Sequence, residues 1–270
     1  MSKLFAGALV VAMFGAAGTA SAADIPATPV HKAPIVAPPY LWTGFYVGVH
    51  AGYGFGRSAA DVTLVPVNAT FRPFTLHTDP RGFIGGAQAG YNWQHGIYVL
   101  GFETDLSFAD LKGDDSAVPI SALTGQPLQN PNQPSISQAN EQLKLFGTVR
   151  ARLGVTATDR VLAYLTSGLA YAQIDNAAAT RFFIPSGNVF TGSDSAIRAG
   201  WTAGAGLEWA LAASWSLKAE YLYYDLGAHT LVTRSLITSN PITDTFHDKG
   251  NIVRAGVNFR FAPDAIVARY

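Results

Sequence analysis

Between Phe45 and Gly56 the chain reads FYVGVHAGYGFG, and this run restricts the fold more than any other. Its odd positions Phe45, Val47, Val49, Ala51, Tyr53 and Phe55 are apolar. Its even positions Tyr46, Gly48, His50, Gly52, Gly54 and Gly56 are small or polar. A period of two puts the first set on one face of a strand and the second on the other. The bulky face needs an apolar neighbour, and the glycine face needs a narrow space. A small transmembrane β-barrel provides both, with lipid outside and a cramped polar lumen inside.

The alternation recurs. Residues 82–94 set Phe83, Ala87, Ala89, Tyr91 and Trp93 against Gln88, Gly90, Asn92 and Gln94. Residues 97–111 set Tyr98, Leu100, Phe102, Leu106 and Phe108 against Glu103, Asp105 and Ser107, and residues 142–156 set Leu143, Leu145, Val149, Leu153 and Val155 against Lys144, Arg150 and Arg152. Residues 160–174 are apolar on both faces and read with Val161, Leu165, Leu169 and Tyr171 outward. Residues 197–211 oppose Trp201, Ala203, Leu207 and Trp209 to Arg198, Gly200, Thr202, Gly204, Gly206 and Glu208. Residues 215–226 oppose Trp215, Leu217, Tyr221 and Tyr223 to Lys218 and Glu220. Residues 251–261 oppose Val253, Ala255, Val257, Phe259 and Phe261 to Arg254, Gly256, Asn258 and Arg260.

Connection lengths give the topology. Short turns fall at His95-Gly96, at residues 157–159 and at residues 212–214. Long connections fall at 58–81, 112–141, 175–196 and 227–250. Short and long alternate strictly, as short periplasmic turns and long external loops do in outer-membrane barrels. The expected fold is all-β: an eight-stranded antiparallel up-and-down transmembrane β-barrel with four long external loops. Pro119, Gly125, Pro127, Pro131 and Pro134, and then Pro185, Ser186, Gly187 and Asn188, mark two of those loops as polar breaker segments. Trp93, Trp209 and Trp215 stand beside the short turns, where the lower aromatic girdle belongs.

The first 22 residues read as a signal peptide. Lys3 supplies the positive region, residues 4–18 the apolar region and Ala20-Ser21-Ala22 the cleavage site. The apolar run is short for a membrane-spanning helix, and no other stretch is long enough. Residues 23–41, with prolines at 26, 29, 34, 38 and 39, read as an extended periplasmic leader. The barrel takes residues 42–261, and 262–270 form a C-terminal extension. The chain has no cysteine, which excludes disulfides and thiolate metal sites. Lys+Arg and Asp+Glu are 18 each, so no global field favours nucleic acid.

Three other folds fit less well. A helix over the alanine-rich segment 201–215 is weakened by Gly204 and Gly206, which the alternation explains. A nucleotide-binding loop at Gly204-Ala205-Gly206 or Gly52-Tyr53-Gly54 lacks the third glycine and the following helix. A soluble ligand-carrying barrel would place its apolar residues inside, opposite to the clustering of Trp, Tyr and Phe against Arg, Lys and Glu.

Three motifs carry a family likeness: Trp42-Thr43-Gly44-Phe45-Tyr46-Val47-Gly48, Gly86-Ala87-Gln88-Ala89-Gly90-Tyr91-Asn92-Trp93, and Arg254-Ala255-Gly256-Val257-Asn258-Phe259-Arg260-Phe261. Together they resemble the alphaproteobacterial outer-membrane β-barrel proteins of the Omp25/RopB family, which includes surface immunogens of Brucella and haemin-binding proteins of Bartonella. The resemblance covers residues 42–261. It implies an eight-stranded barrel in the cell outer membrane, often described as of the porin family. Members typically end at the aromatic of the last strand, an assembly signal; here residues 262–270 follow Phe261, so the signal falls to Phe259 and Phe261 or to Tyr270. The expected partners are outer-membrane lipid, lipopolysaccharide and the barrel-assembly machinery.

The inward parity assigns a lumen charge network of Glu103, Asp105, Lys144, Arg150, Arg152, Arg198, Glu208, Lys218, Glu220, Arg254 and Arg260. Buried charges must pair, so the reading is a barrel filled by salt bridges and contributing to envelope integrity. The alternatives are a small-solute diffusion pore and a haem- or ligand-binding protein. Of the six histidines, His50 faces the lumen, and His31, His77, His95, His229 and His247 lie in the leader, turns or loops. None has a serine and a carboxylate at catalytic spacing, so no enzyme, catalytic residue or metal site is expected. His77, His229 and His247 are the sole support for haem, and no cofactor is assigned.

Overall fold

The computed structural model describes residues 40–64, 72–128, 135–182, 189–235 and 241–261. The signal peptide, nearly all of the leader and the extension with Tyr270 lie outside the described residues. Among the described residues, nine strands run in order: β1 (Gly44–Leu64), β2 (Phe74–His77), β3 (Arg81–His95), β4 (Tyr98–Ala117), β5 (Ile136–Thr158), β6 (Val161–Arg181), β7 (Val189–Ala210), β8 (Trp215–Ser235) and β9 (Ile242–Arg260). They pair antiparallel in the order β2-β1-β3-β4-β5-β6-β7-β8-β9, and β9 pairs back on β1. β2 and β3 share one side of β1, at residues 59–62 and 44–55 respectively. They make a single wall position broken at Thr78-Asp79-Pro80, where Asp79 takes a φ of 42°. The wall therefore has eight positions.

Its closure is staggered. The row of paired residues from Ile197 runs through Gln173, Leu145, Phe108, Gly85, Ala51, Ala255 and Ala219 and returns to β7 at Leu207, ten residues from its start. Such a stagger in a small barrel tilts the strands by about 40°.

Outward side chains are apolar from Trp93, Trp209 and Trp215 beside the short turns up to Phe55, Phe83, Phe108 and Trp201. Past that height the polarity inverts. Arg57, Arg81, Asp110, Lys112 and Lys249 face outward, whereas Ala60, Val62, Leu76, Ile242 and Phe246 are buried inside. The membrane-spanning part of each strand ends at this change, and the remainder stands outside the bilayer. The four long connections are correspondingly shorter than the sequence predicts. Most of 175–196 and 227–250, half of 58–81 and less than half of 112–141 is strand, its ladder continuing the barrel wall beyond the lipid.

The inner glycines have a local cause. Tyr46 faces Gly90, Tyr164 faces Gly206 and Tyr224 faces Gly250 across adjacent strands, and a Cβ on any of these glycines would lie 2.4 Å from a tyrosine ring atom or hydroxyl. Each bulky ring lies over a bare backbone, the way aromatics cover glycines in curved sheets.

Candidate functional site

The interior is built in layers, starting at the short-turn end. There Tyr40 and Trp42, contributed by the segment before β1, pack with Val99, Leu162, Tyr164 and Ala210. Arg260 lies 4.3 Å over the Tyr40 ring and donates to the Thr43 and Ala213 carbonyls.

Above this layer, eight charged side chains converge from β4, β5, β7, β8 and β9. Glu103 and Asp105 come from β4, and Arg150 and Arg152 face them from β5 because Glu103 and Arg150 are direct register partners. Arg150 bridges both β4 carboxylates and reaches across the lumen to Glu220 at 3.0 Å. Lys218 Nζ donates to the two Glu103 oxygens at 2.9 and 3.0 Å. Arg254 joins Asp105 at 2.9 Å to Glu220 at 2.6 Å. Arg152 donates to Glu208 at 2.8 Å and to the Tyr46 hydroxyl at 2.6 Å, with its guanidinium 3.9 Å over the Tyr164 ring. Tyr46 donates to Glu103 and Tyr164 to Glu220. Four acids face four bases, all buried. Burial of that many charges is tolerable because nearly every lone pair and proton has a partner.

Next comes an apolar layer of Ile84, Leu111, Leu143, Phe146, Ile174, Leu222, Tyr224 and Ile252. A second polar layer follows, outside the bilayer. There Thr78 donates to Glu141 at 2.8 Å, Ser58 to Asp248 at 3.2 Å, and His229 lies 3.2 Å from Asp248 and 2.9 Å from Asn176. Burial, reinforced by the nearby Asp248 charge, pushes the Glu141 carboxyl up to about 7. Farther out, Phe182, Phe190, Leu231, Phe246 and neighbours form the last apolar layer, and burial there raises Asp244 to about 6.

Eight of the eleven residues read as lumen charges meet in the network; three do not. Lys144 points outward and pairs with Asp175. Bulges in the β4–β5 and β5–β6 ladders, between Phe108 and Leu111 and between Leu143 and Leu145, reset the parity there, so Leu143 turns inward in its place. Arg198 is half-buried and pairs with Asp194 on its own strand. Arg260 is buried but serves the short-turn end. Phe259 and Phe261 lie on the outer face, where their rings contact each other, Trp215 and Phe45.

Sequence reading missed Tyr46 and Tyr164 as network members, although each sits on the inward parity opposite a glycine. It also missed the contact of Ser107 Oγ with His50 Nε2 at 2.8 Å. It missed the outer polar layer altogether, because those residues fall in stretches read as loops. His229 is turned inward rather than carried on a loop. Among the described residues, no group of three or more His, Cys, Asp or Glu is arranged to hold a metal ion.

A model of the outer membrane protein beta-barrel domain matches residues 6–261. The chain belongs to the outer-membrane protein β-barrel family. Its relatives within that family include the 31 kDa outer-membrane immunogenic protein of Brucella melitensis, 39% identical over 94% of this chain and 98% of the relative. The 25 kDa outer-membrane immunogenic protein of Brucella abortus is 30% identical over 90% and 91%. A 22 kDa outer membrane protein of Rhizobium leguminosarum bv. viciae is 29% identical over 70% and 67%. Among solved structures, OprG of Pseudomonas aeruginosa aligns with a TM-score of 0.45 at 11% identity, over 83% of this chain and 100% of that one. Family membership places the chain in the cell outer membrane.

Proposed function

We propose that this chain is a structural barrel closed through its lumen, which reinforces the envelope and displays its outer strands at the cell surface. The observation that carries this reading is the layering of the interior, in which balanced charges alternate with apolar side chains. A solute crossing it would have to displace buried ion pairs and then enter apolar packing, and uncovering each buried charge costs several kcal/mol. The Ser107–His50 contact imitates a nucleophile and its base, and His50 Nδ1 lies 3.2 Å from Gln88 Oε1. All three are buried in the lumen beside the charge network, which leaves a substrate no approach. No catalytic role is assigned to them.

Planar-bilayer recording on purified protein tests the closed lumen. No steady nanosiemens channel is expected, and one would favour the diffusion pore. A strain lacking the chain should become more sensitive to detergent; unchanged sensitivity would remove the envelope role.

One observation favours a second reading, haem binding. His77 on β2 and His247 on β9 both pair in register with Ala59 of β1, one on each side of it on the outward face. His77 and His247, the latter 3.6 Å from Asp61, would be the residues to hold a haem iron, which imidazole nitrogen can ligate. A haem difference spectrum that is present in the native chain and lost in His77→Ala/His247→Ala would support this reading, and no spectrum in the native chain would end it.

A further inference from the structure

Two independent features meet on the outward face of β9, β1, β3 and β4. The first is electrostatic. Arg57 is the register partner of Lys249, and Arg81 is the register partner of Lys112. All four side chains are exposed, immediately above the apolar band. Side chains directly opposed on one face lie about 5 Å apart at Cβ, and like charges there repel. Arg81 also pairs in register with Phe55, which makes it a diagonal neighbour of Arg57 at about 7–8 Å. Lys249 is relieved by Asp225 at 3.2 Å and Lys112 by Asp110 at 2.7 Å. Arg57 and Arg81 form no ion pair among the described residues, although the exposed Asp79 is close by in the chain.

The second feature is a shallow apolar groove lower on the same face, separated from Arg57 and Arg81 by Phe55 and by the Tyr53–Phe83 row. Its floor is Ala219, Ala255, Ala51 and Gly85, a single row of register partners across four strands, and Tyr53, Phe83, Val253 and Phe108 stand above it as walls. The Tyr53 and Phe83 rings meet edge to face at 5.4 Å. A groove one methyl deep in the lipid-facing wall, topped by two unpaired guanidiniums at the bilayer surface, has the shape and charge of a phosphorylated lipid: acyl chain below, phosphate above.

We propose that β9, β1, β3 and β4 carry a specific site for a phosphorylated glycolipid of the outer leaflet, its phosphate held by Arg57 and Arg81 and one acyl chain seated in the Ala51–Gly85–Ala219–Ala255 groove. Lys112 and Lys249, each already paired with an aspartate, leave Arg57 and Arg81 as the charges free for the phosphate, and Asp79 is available to accept from sugar hydroxyls. The inference rests on the outer-membrane placement and not on the closed lumen. A conducting barrel that still binds the lipid would overturn the proposed function and leave this site standing.

The test uses the full chain in phosphatidylcholine nanodiscs, with binding of bisphosphorylated lipid A read by native mass spectrometry. Arg57→Gln/Arg81→Gln should weaken binding about tenfold or more, as loss of two charge-assisted contacts requires. Ala51→Phe/Ala255→Phe, which fills the groove with residues at home in lipid, should weaken it comparably. Lys144→Gln, an outward lysine on another part of the wall, should not. Dephosphorylated lipid A should bind the native chain weakly and be indifferent to the arginine changes. Equal binding by the native chain and Arg57→Gln/Arg81→Gln, equal loss in Lys144→Gln, or displacement of lipid A by millimolar inorganic phosphate would overturn the proposal. Heat-modifiable gel migration reports folding, so a variant that fails to fold is replaced by the single changes Arg81→Gln and Ala255→Leu, read the same way.

Discussion

Lys218 has the fewest alternatives in the charge network. Its ammonium sits on both oxygens of Glu103, and its next carboxylate, Glu220, is 3.9 Å away. Lys218→Met should therefore destabilise the barrel by about 3–5 kcal/mol, the usual cost of stripping one partner from a buried pair. In Glu103→Gln/Lys218→Met the count returns to three acids and three bases, with Arg150 keeping Asp105 and Glu220 and Arg152 keeping Glu208. Urea unfolding in liposomes should show the double change recovering part of the loss; simple addition of the two single costs would mean that the pair is not coupled. Gly90 tests a different contact. A Cβ there meets the Tyr46 hydroxyl, which bonds Glu103 and accepts from Arg152. Gly90→Ala should cost about 1–3 kcal/mol through overpacking. In a Tyr46→Leu background the same change should cost much less.

Among the elements, β8 departs furthest from a regular stave. Its ladder to β7 lapses between Thr191 and Trp201, its ladder to β9 bulges between Asp225 and Ala228, and Gly227 takes a φ of 79°. Beyond that kink His229 holds β8 inward, against Asp248 of β9 and Asn176 of β6, with its ring stacked on Phe246. The layer it joins titrates. Glu141 keeps its proton to about pH 7 in the fold, whereas an unfolded chain releases it near 4.5. A raised carboxyl pKa favours the fold below the unfolded value, and the benefit fades as pH rises through the folded one. The outer half should thus lose up to about 3 kcal/mol between pH 4.5 and 7. Hydrogen exchange should find amides of 226–233 less protected at pH 8 than at pH 5 after correction for intrinsic rates, and Glu141→Gln should flatten most of that difference, with Asp244 contributing the remainder. None of this was legible in the sequence, for a physical reason. Within the lipid the apolar parity is outward, at Val253 and Phe259, and beyond it the apolar parity is inward, at Ile242 and Phe246. A strand whose greasy face changes sides reads as irregular, and so its outer half reads as loop. The lipid-embedded halves, with eight of the network's charges, were legible because one parity governs each. Lys144 was lost where a bulge breaks it.

The molecule as a whole is therefore two barrels in one wall. The lower is apolar outside and holds the charge network within, and the upper is polar outside and mainly apolar within, around the small Glu141–Asp248–His229 layer. The same substitution should give opposite results in the two. Val149→Arg, half-exposed to acyl chains, should cost about 2–4 kcal/mol in a bilayer. Asn140→Arg, exposed on the same strand above the lipid, should cost under about 0.5 kcal/mol. Equal costs would mean that the bilayer boundary between them is misplaced. The short-turn end adds an optical consequence. Of five tryptophans, Trp93, Trp201, Trp209 and Trp215 are about half exposed on the outer wall, whereas Trp42 is 1% exposed within. Brominated acyl chains should darken the four and leave a residual emission from Trp42 that acrylamide in the buffer cannot reach. That remaining glow, abolished in Trp42→Phe, would report from inside the short-turn end of the barrel.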